Sequence, residues 1–356
     1  MSAIVQSSLP EALDLPAVSS NQCYLQLPED ISFGSVSCGG FVASVMGKFA
    51  VSYASHQVRL YGQTHIWSTY TQFYRPIFPG KGKVRLQAYV INIGKAGTSM
   101  RVELFQGGKP KICASMHLLI SDFNSPGLTV STGWRPSPPA RRVDLAKLET
   151  ESDPNWICYH APFYRNGARR SHSYARMFIP VDWPSESSYV DQWIAPGWDY
   201  EPLGSRRPRA QGVEEARWTN DMIQFAFEMN VNVHDQFVTG PTASQTGASG
   251  IIRHGKAQKK ARKEGKPNWR EVEDDGSLKL TDSLNITLTL STEIKKRLPD
   301  EGIRWLYLRT DVKHIENGRL DIGSLLLDHN MDLVAAGHQV AQLSWLDKKE
   351  IQGSHL

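Results

Sequence analysis

Three polar residues stand where the surrounding pattern is apolar, and together they could activate a water molecule. Asp221 lies beside a stripe at helical spacing made by Trp218, Met222, Phe225 and Met229. Ser283 opens an alternating run, with Leu284, Ile286, Leu288 and Leu290 on one face and Ser283, Asn285, Thr287 and Thr289 on the other. Gln339 interrupts a strand of apolar and small residues. A carboxylate and two neutral hydrogen-bonding groups, brought together from separate elements, can hold one water and take its proton. Each residue also has an ordinary structural reading. Asp221 suits a position near a helix start, where the dipole favours an acid. Ser283 fits an outward strand position. Gln339 could be bonded to backbone, because a buried amide without a partner costs about 1–3 kcal/mol.

The elements that must position these groups are a helix over 214–229, a strand over 281–290 and a closing hairpin over 317–345. The hairpin turns at Asp328, His329 and Asn330. It has an earlier copy over 97–120. Laid without a gap, Gly107 and Gly108 fall on His329 and Asn330, and Ile112, Ala114 and Leu118 fall on Val334, Ala336 and Val340. His117 then falls on Gln339. One domain plan is used twice, at a period far longer than that of a solenoid. The stretch after Gly40, residues 41–51, holds no acid. One site per chain, in the second half, is therefore expected.

The first half reads as α+β. A glycine pair, Gly39 and Gly40, leads into a long run that is apolar nearly all round, a buried helix. Strands follow over 64–74, 83–93, 98–105 and 111–121, enough to curl round it. The expected division is 1–124, a connecting segment 125–160 rich in proline at its start, a second unit 161–350, and a tail 351–356. Within the second unit, 183–209 reads as a loop rich in Pro and Trp. Residues 240–276 read as a mobile insertion, Gly/Ser-rich and then basic through Arg253, Lys256, Lys259, Lys260, Arg262, Lys263 and Lys266.

With 356 residues the chain can bury one large or two medium cores. A formal net charge of +4 gives no case for nucleic acid. Cys23, Cys38, Cys113 and Cys158 are scattered, so neither a metal site nor a disulfide framework is expected. No apolar run reaches the roughly 18 residues of a membrane span, and no secretory segment is visible. A P-loop is excluded because Ala257 follows Gly255 and Lys256 where Ser or Thr would hold magnesium. The final Ser354, His355 and Leu356 vary the S-K-L peroxisomal address, so a peroxisomal import receptor is an expected partner, with the cytoplasm as the alternative. Oligomeric state is open.

Several stretches, in order, resemble the acyl-CoA thioesterase II family and its fungal thioesterase-like branch. They are Gly39-Gly40-Phe41, Thr71-Gln72-Phe73-Tyr74-Arg75-Pro76, Gly108-Lys109-Pro110 and Arg304-Trp305-Leu306-Tyr307. The resemblance implies a double hot-dog, two antiparallel sheets each wrapped round a central helix. It implies that Asp221, Ser283 and Gln339 form the catalytic set, and that Gly39, Gly40, Phe41, Tyr70 and Asn285 line the substrate. The family commonly has Gln, His and Asp where this chain has Phe41, Tyr70 and Asn285. The implied reaction is hydrolysis of an acyl thioester, with coenzyme A or a carrier protein's phosphopantetheine as part of the substrate and no separate cofactor. Cyclisation or dehydration of a polyketide chain, and acyl binding without turnover, are the alternatives.

Overall fold

The computed structural model describes residues 7–18, 20–60, 62–108, 111–161, 170–200, 214–237, 247–272 and 283–345. The first half contains α1 (Leu9–Ala12), β1 (Gln22–Leu25), β2 (Ser32–Phe33), β3 (Val36–Ser37), α2 (Gly39–Ser55), β4 (His65–Phe73), β5 (Val84–Ile93), β6 (Thr98–Gln106) and β7 (Ile112–Ser121). The second contains α3 (Leu145–Glu149), β8 (Trp156–Tyr159), β9 (Ala175–Pro180), β10 (Tyr189–Pro196), α4 (Ile223–Glu228), α5 (Ala248–Lys263), β11 (Ser283–Ile294), β12 (Leu306–Asp311), β13 (Ile315–Glu316), β14 (Arg319–Leu327) and β15 (Leu333–Trp345).

An α2 that is apolar on nearly every side must be enclosed, and Phe41, Val45, Met46 and Phe49 are fully buried. The enclosing surface is the inner face of the sheet, where Ala114, Met116, Leu118 and Ile120 alternate inward along β7. The strand order is β1-β5-β6-β7-β4-β11-β15-β14-β12-β10-β9-β8. Its centre is symmetric: β5-β6-β7-β4 on one side reads as β12-β14-β15-β11 on the other. The halves meet edge to edge through antiparallel β4 and β11, where Tyr70 lies opposite Ser291. The double hot-dog plan is therefore present.

The symmetry corrects the gapless overlay of the hairpins. Leu104 pairs with Ala114 and Leu326 with Ala335, after which a bulge follows in each hairpin. Six residues separate Phe105 from Ile112, but five separate Leu327 from Leu333. The second turn is one residue shorter, and a one-residue slip changes which face a side chain occupies. His117, opposite Tyr70, corresponds to His338, opposite Ser291, and both histidines are exposed. The counterpart of Gln339 is Leu118.

Three further expectations change. A bulge between Thr287 and Thr289 inverts the alternation of β11, so Ile286 and Leu288 are exposed while Leu290 is buried. The stretch 183–209 supplies β10, an inner strand of the sheet. The helix expected over 214–229 shortens to α4 and a 3-10 turn at Asn220–Met222, because Trp218 instead bridges Ile303. The described part of the expected insertion, 247–272, is packed on the domain. Within it α5 buries Ala248, Ile251, Ile252 and Ala261, packing on β8.

Candidate functional site

The two central helices touch at their ends, and that contact makes the site. Gly40, in the first turn of α2, lies so close to α4 that an added Cβ would fall 2.3 Å from the carbonyl oxygen of Gln224 and 2.5 Å from Cγ of Glu228. Only glycine allows that approach. Glu228 ends α4, and the carbonyls around it are tied down. Asn230 Nδ2 donates to the Phe227 oxygen at 2.7 Å, and Gln192 Nε2 donates to the Met229 oxygen at 2.5 Å. His172 Nε2 lies 3.2 Å from the Glu228 oxygen. These bonds hold the Glu228 carboxyl against the start of α2 and the inner face of β15.

There Gln339 Nε2 donates to Glu228 Oε1 at 2.7 Å, and the Gly40 N–H donates to the same carboxylate. Gln339 is 5% exposed and Glu228 9%. Burial disfavours the charged form and pushes the Glu228 carboxyl up to about 7, against the two donors, which lower it. Gln339 Oε1 accepts nothing from the described residues. Beside Gln339, Leu290 pairs with both Gln339 and Thr71, and Thr292 lies opposite both Gly337 and Thr69. The Thr69, Thr71 and Thr292 hydroxyls are buried without a partner among the described residues. Such groups are costly unless something hydrogen-bonds them, so the chamber suits a water or a polar substrate group. Gly337 keeps it open on the sheet side, since an added Cβ would lie 3.0 Å from the Phe227 ring.

A cleft of about 450 Å³ runs over the start of α4, lined among others by Lys48, His65, Ile66, Asp221, Gln224 and Ile294. Gln224, on its inner wall, precedes Glu228 by about one helical turn. His65 accepts the Phe123 N–H at Nδ1, 3.3 Å away, which places its proton on Nε2. Burial and then Arg297 push its pKa down.

The expected trio does not converge. Gln339 is in the chamber. Asp221 stands in the outer cleft, 39% exposed, with its Oδ2 3.6 Å from Lys48 Nζ. Ser283 begins β11 opposite Trp345, seven residues from Leu290, or about 23 Å of strand. Asn285, opposite Leu343, is five residues away, with a buried Oδ1 that has no partner among the described residues. Tyr70 is 46% exposed, on the outer face, and does not line the site. Phe41 is core, edge-on to Phe225 with ring centroids 6.4 Å apart. Gly39 and Gly40 hold the expected place, and a Cβ on Gly39 would sit 3.6 Å from Glu228 Oε1. Glu228, Thr71 and Thr292 were missed. For Glu228 a signal existed: it is the one acid within the apolar run 222–231, whereas Asp221 stands at its edge.

Two other groups in the second half and at the helix start have no part in this chemistry. Burial, then the nearby Glu228, raises the Cys38 thiol well above its ordinary range, which keeps it protonated. Glu151, Cys158 and His160 cluster as metal ligands would. Glu151 is instead taken up by His160 at 2.9 Å, Arg262 at 2.7 Å and Arg176 at 3.4 Å. Guanidiniums on the carboxylate make this a buried ion network.

A family model described as the acyl-CoA thioesterase C-terminal domain matches residues 100–343, well over half of the chain. The chain belongs to this family. Membership makes it a thioesterase-like enzyme of the hydrolase class. It is similar to the thioesterase-like protein TwmA of Talaromyces wortmannii, 21% identical over 351 residues, covering 94% of this chain and 91% of that protein. Among solved structures, a protein assigned as a thioesterase II from Thermobifida fusca superposes with a TM-score of 0.61 at 14% identity, over 96% of this chain and all of that one. A hot-dog protein of Alicyclobacillus acidocaldarius gives 0.59 at 10% identity, over 96% of this chain and 100% of that one. These structures establish the fold. No helix among the described residues is long and apolar enough to cross a membrane.

Proposed function

We propose that the enzyme hydrolyses an acyl thioester with Glu228 as general base on a water held by Gln339. The supporting observation is the buried Glu228 carboxyl, raised to about 7 and clasped by Gln339 Nε2 and the Gly40 N–H. A base works best with a pKa near the working pH. The Gln339 amide orients the carboxylate with its N–H and leaves its oxygen to accept from the water. Glu228 takes the water's other proton as the oxygen attacks the thioester carbonyl, and the tetrahedral intermediate then expels the thiolate, which is protonated on release. The start of α2 faces the chamber without a side-chain cap, so its positive dipole end favours charge developing on the carbonyl oxygen. The acyl chain lies along the cleft beside Ile66 and Ile294. Coenzyme A or a carrier's phosphopantetheine is part of the substrate, and no metal takes part in these steps.

The test is thiol release from a panel of acyl-CoA esters and acyl N-acetylcysteamine thioesters as a function of pH. For an ester that is turned over, kcat/KM should climb through a pKa near 7 and level off above it. Product analysis must show free acid. A cyclised or dehydrated product, or an unchanged ester across the panel, would refute the reading.

A further inference from the structure

We propose that α5 is a docking surface for an acidic helix of a protein that carries the acyl group on its own pantetheine arm. This rests on the thioester reading and names the form in which the substrate arrives. One side of α5 is fixed to the domain. An added Cβ on Gly255 would lie 2.8 Å from Ile157 Cγ1 and 3.2 Å from the Cys158 oxygen. Gln258 accepts the His160 N–H at 3.2 Å and donates to the His160 oxygen at 2.9 Å, as a neighbouring strand would. The outward side cannot rotate away.

That outward side carries Arg253, Lys256, Lys260 and Lys263, all exposed, at steps of three, four and three residues. The spacing puts them in one row, about 15 Å long at helical rise. Among the described residues, Arg253, Lys260 and Lys263 have no carboxylate within ion-pair distance, and Lys256 Nζ donates to the Val181 oxygen. The nearby acids are committed elsewhere: Glu264 to Lys266 at 2.9 Å, and Glu151 to Arg262 at 2.7 Å. Like charges in such a row repel, and among the described residues only Glu264, near Lys260, and Asp182, near Lys256, act on it electrostatically, each paired directly with another cation. Net charge is only +4, so the row is a local feature rather than part of a basic field of the kind that binds nucleic acid or bilayers. Its complement is one helix of similar length with acids at the same steps. The start of α5 lies against the turn that follows the catalytic helix. Gly247, before α5, packs on Gln236 in the 3-10 turn Val233–Gln236, which follows α4.

The experiment compares the full-length wild type with the triple variant R253E/K260E/K263E, none of whose sites lies in the catalytic chamber. A labelled, phosphopantetheinylated acidic carrier domain is titrated with each, by fluorescence anisotropy, at low and high salt. Hydrolysis of its octanoyl form is measured beside that of octanoyl N-acetylcysteamine thioester. The wild type should bind the domain in a salt-sensitive way, and the variant should lose about tenfold or more in affinity and in kcat/KM on the carrier substrate. Turnover of the N-acetylcysteamine ester should be equal in both. Absence of wild-type binding to the domain, equal binding by the variant, or equal losses on both esters would overturn the proposal. If neither ester is hydrolysed but binding is lost in the variant, the docking surface stands and the hydrolytic reading fails.

Discussion

Replacing Glu228 by Gln should make the protein more stable at alkaline pH while removing its activity. The carboxyl lies at about 7 in the folded chain against an ordinary 4.5. At about 1.4 kcal/mol for each pH unit, that gap is worth about 3 kcal/mol. The sign follows from proton linkage. Below pH 4.5 the group is protonated in both states and costs nothing. Between 4.5 and 7 the unfolded chain releases the proton and the folded chain keeps it, so stability falls as pH rises. Above about pH 8 the whole difference is lost. In E228Q the amide can still accept from Gln339 Nε2 and the Gly40 N–H, and it has no charge to desolvate. The stability of E228Q relative to wild type should therefore rise by about 3 kcal/mol from pH 4.5 to 8.5. That is on the order of 5 °C in melting temperature for a chain of this size. Thermal and urea unfolding of both proteins across this range reads it directly. A difference that stays flat with pH would show that Glu228 titrates as an ordinary surface acid, and the chamber as described would be wrong.

Other outcomes follow from the same geometry. Gly40→Ala should lower stability by at least about 1–3 kcal/mol, since the methyl group overlaps the Gln224 carbonyl; a melting curve matching wild type would contradict the helix contact. Gln339→Leu, which installs the residue found at the symmetric position 118, removes a donor that lowers the Glu228 pKa. The rising limb of kcat/KM should move to higher pH, and an unmoved limb would separate Gln339 from the base. Thr292→Val removes a buried hydroxyl with no partner among the described residues. Its stability should change by under about 1 kcal/mol or increase, so a large loss on denaturation would show that the hydroxyl bonds within the protein.

The sequence carried the architecture further than the site. Glycines before an apolar helix, long alternating strands and a repeated hairpin were enough to define two sheets round two helices. The overlay failed by one residue because a turn's length is not written in its hydrophobic pattern, and β structure converts one residue into a change of face. His117 thus seemed to match Gln339 although its true counterpart is His338. The bulge in β11 had the same effect, exposing Ile286 and Leu288 and leaving Ser283 far along the strand. Asp221 and Glu228 belong to one short segment, seven residues apart. Only the packing of α4 against Gly40 decides which of them is buried, and that contact joins residues 40 and 228. Residues 354–356, read as a peroxisomal address, lie outside the described residues, as do parts of 240–276.

The central claim is that Glu228, and not Asp221, is the base. It is tested most directly by the steady-state hydrolysis of one acyl thioester by E228Q and D221N side by side. Glu228→Gln should lower kcat by roughly 10²–10⁴. Asp221→Asn breaks a half-exposed pair with Lys48, worth under about 1 kcal/mol, and should keep kcat within a few-fold of wild type. Near-normal turnover in E228Q together with a collapse in D221N would contradict the account and move the chemistry to the outer cleft.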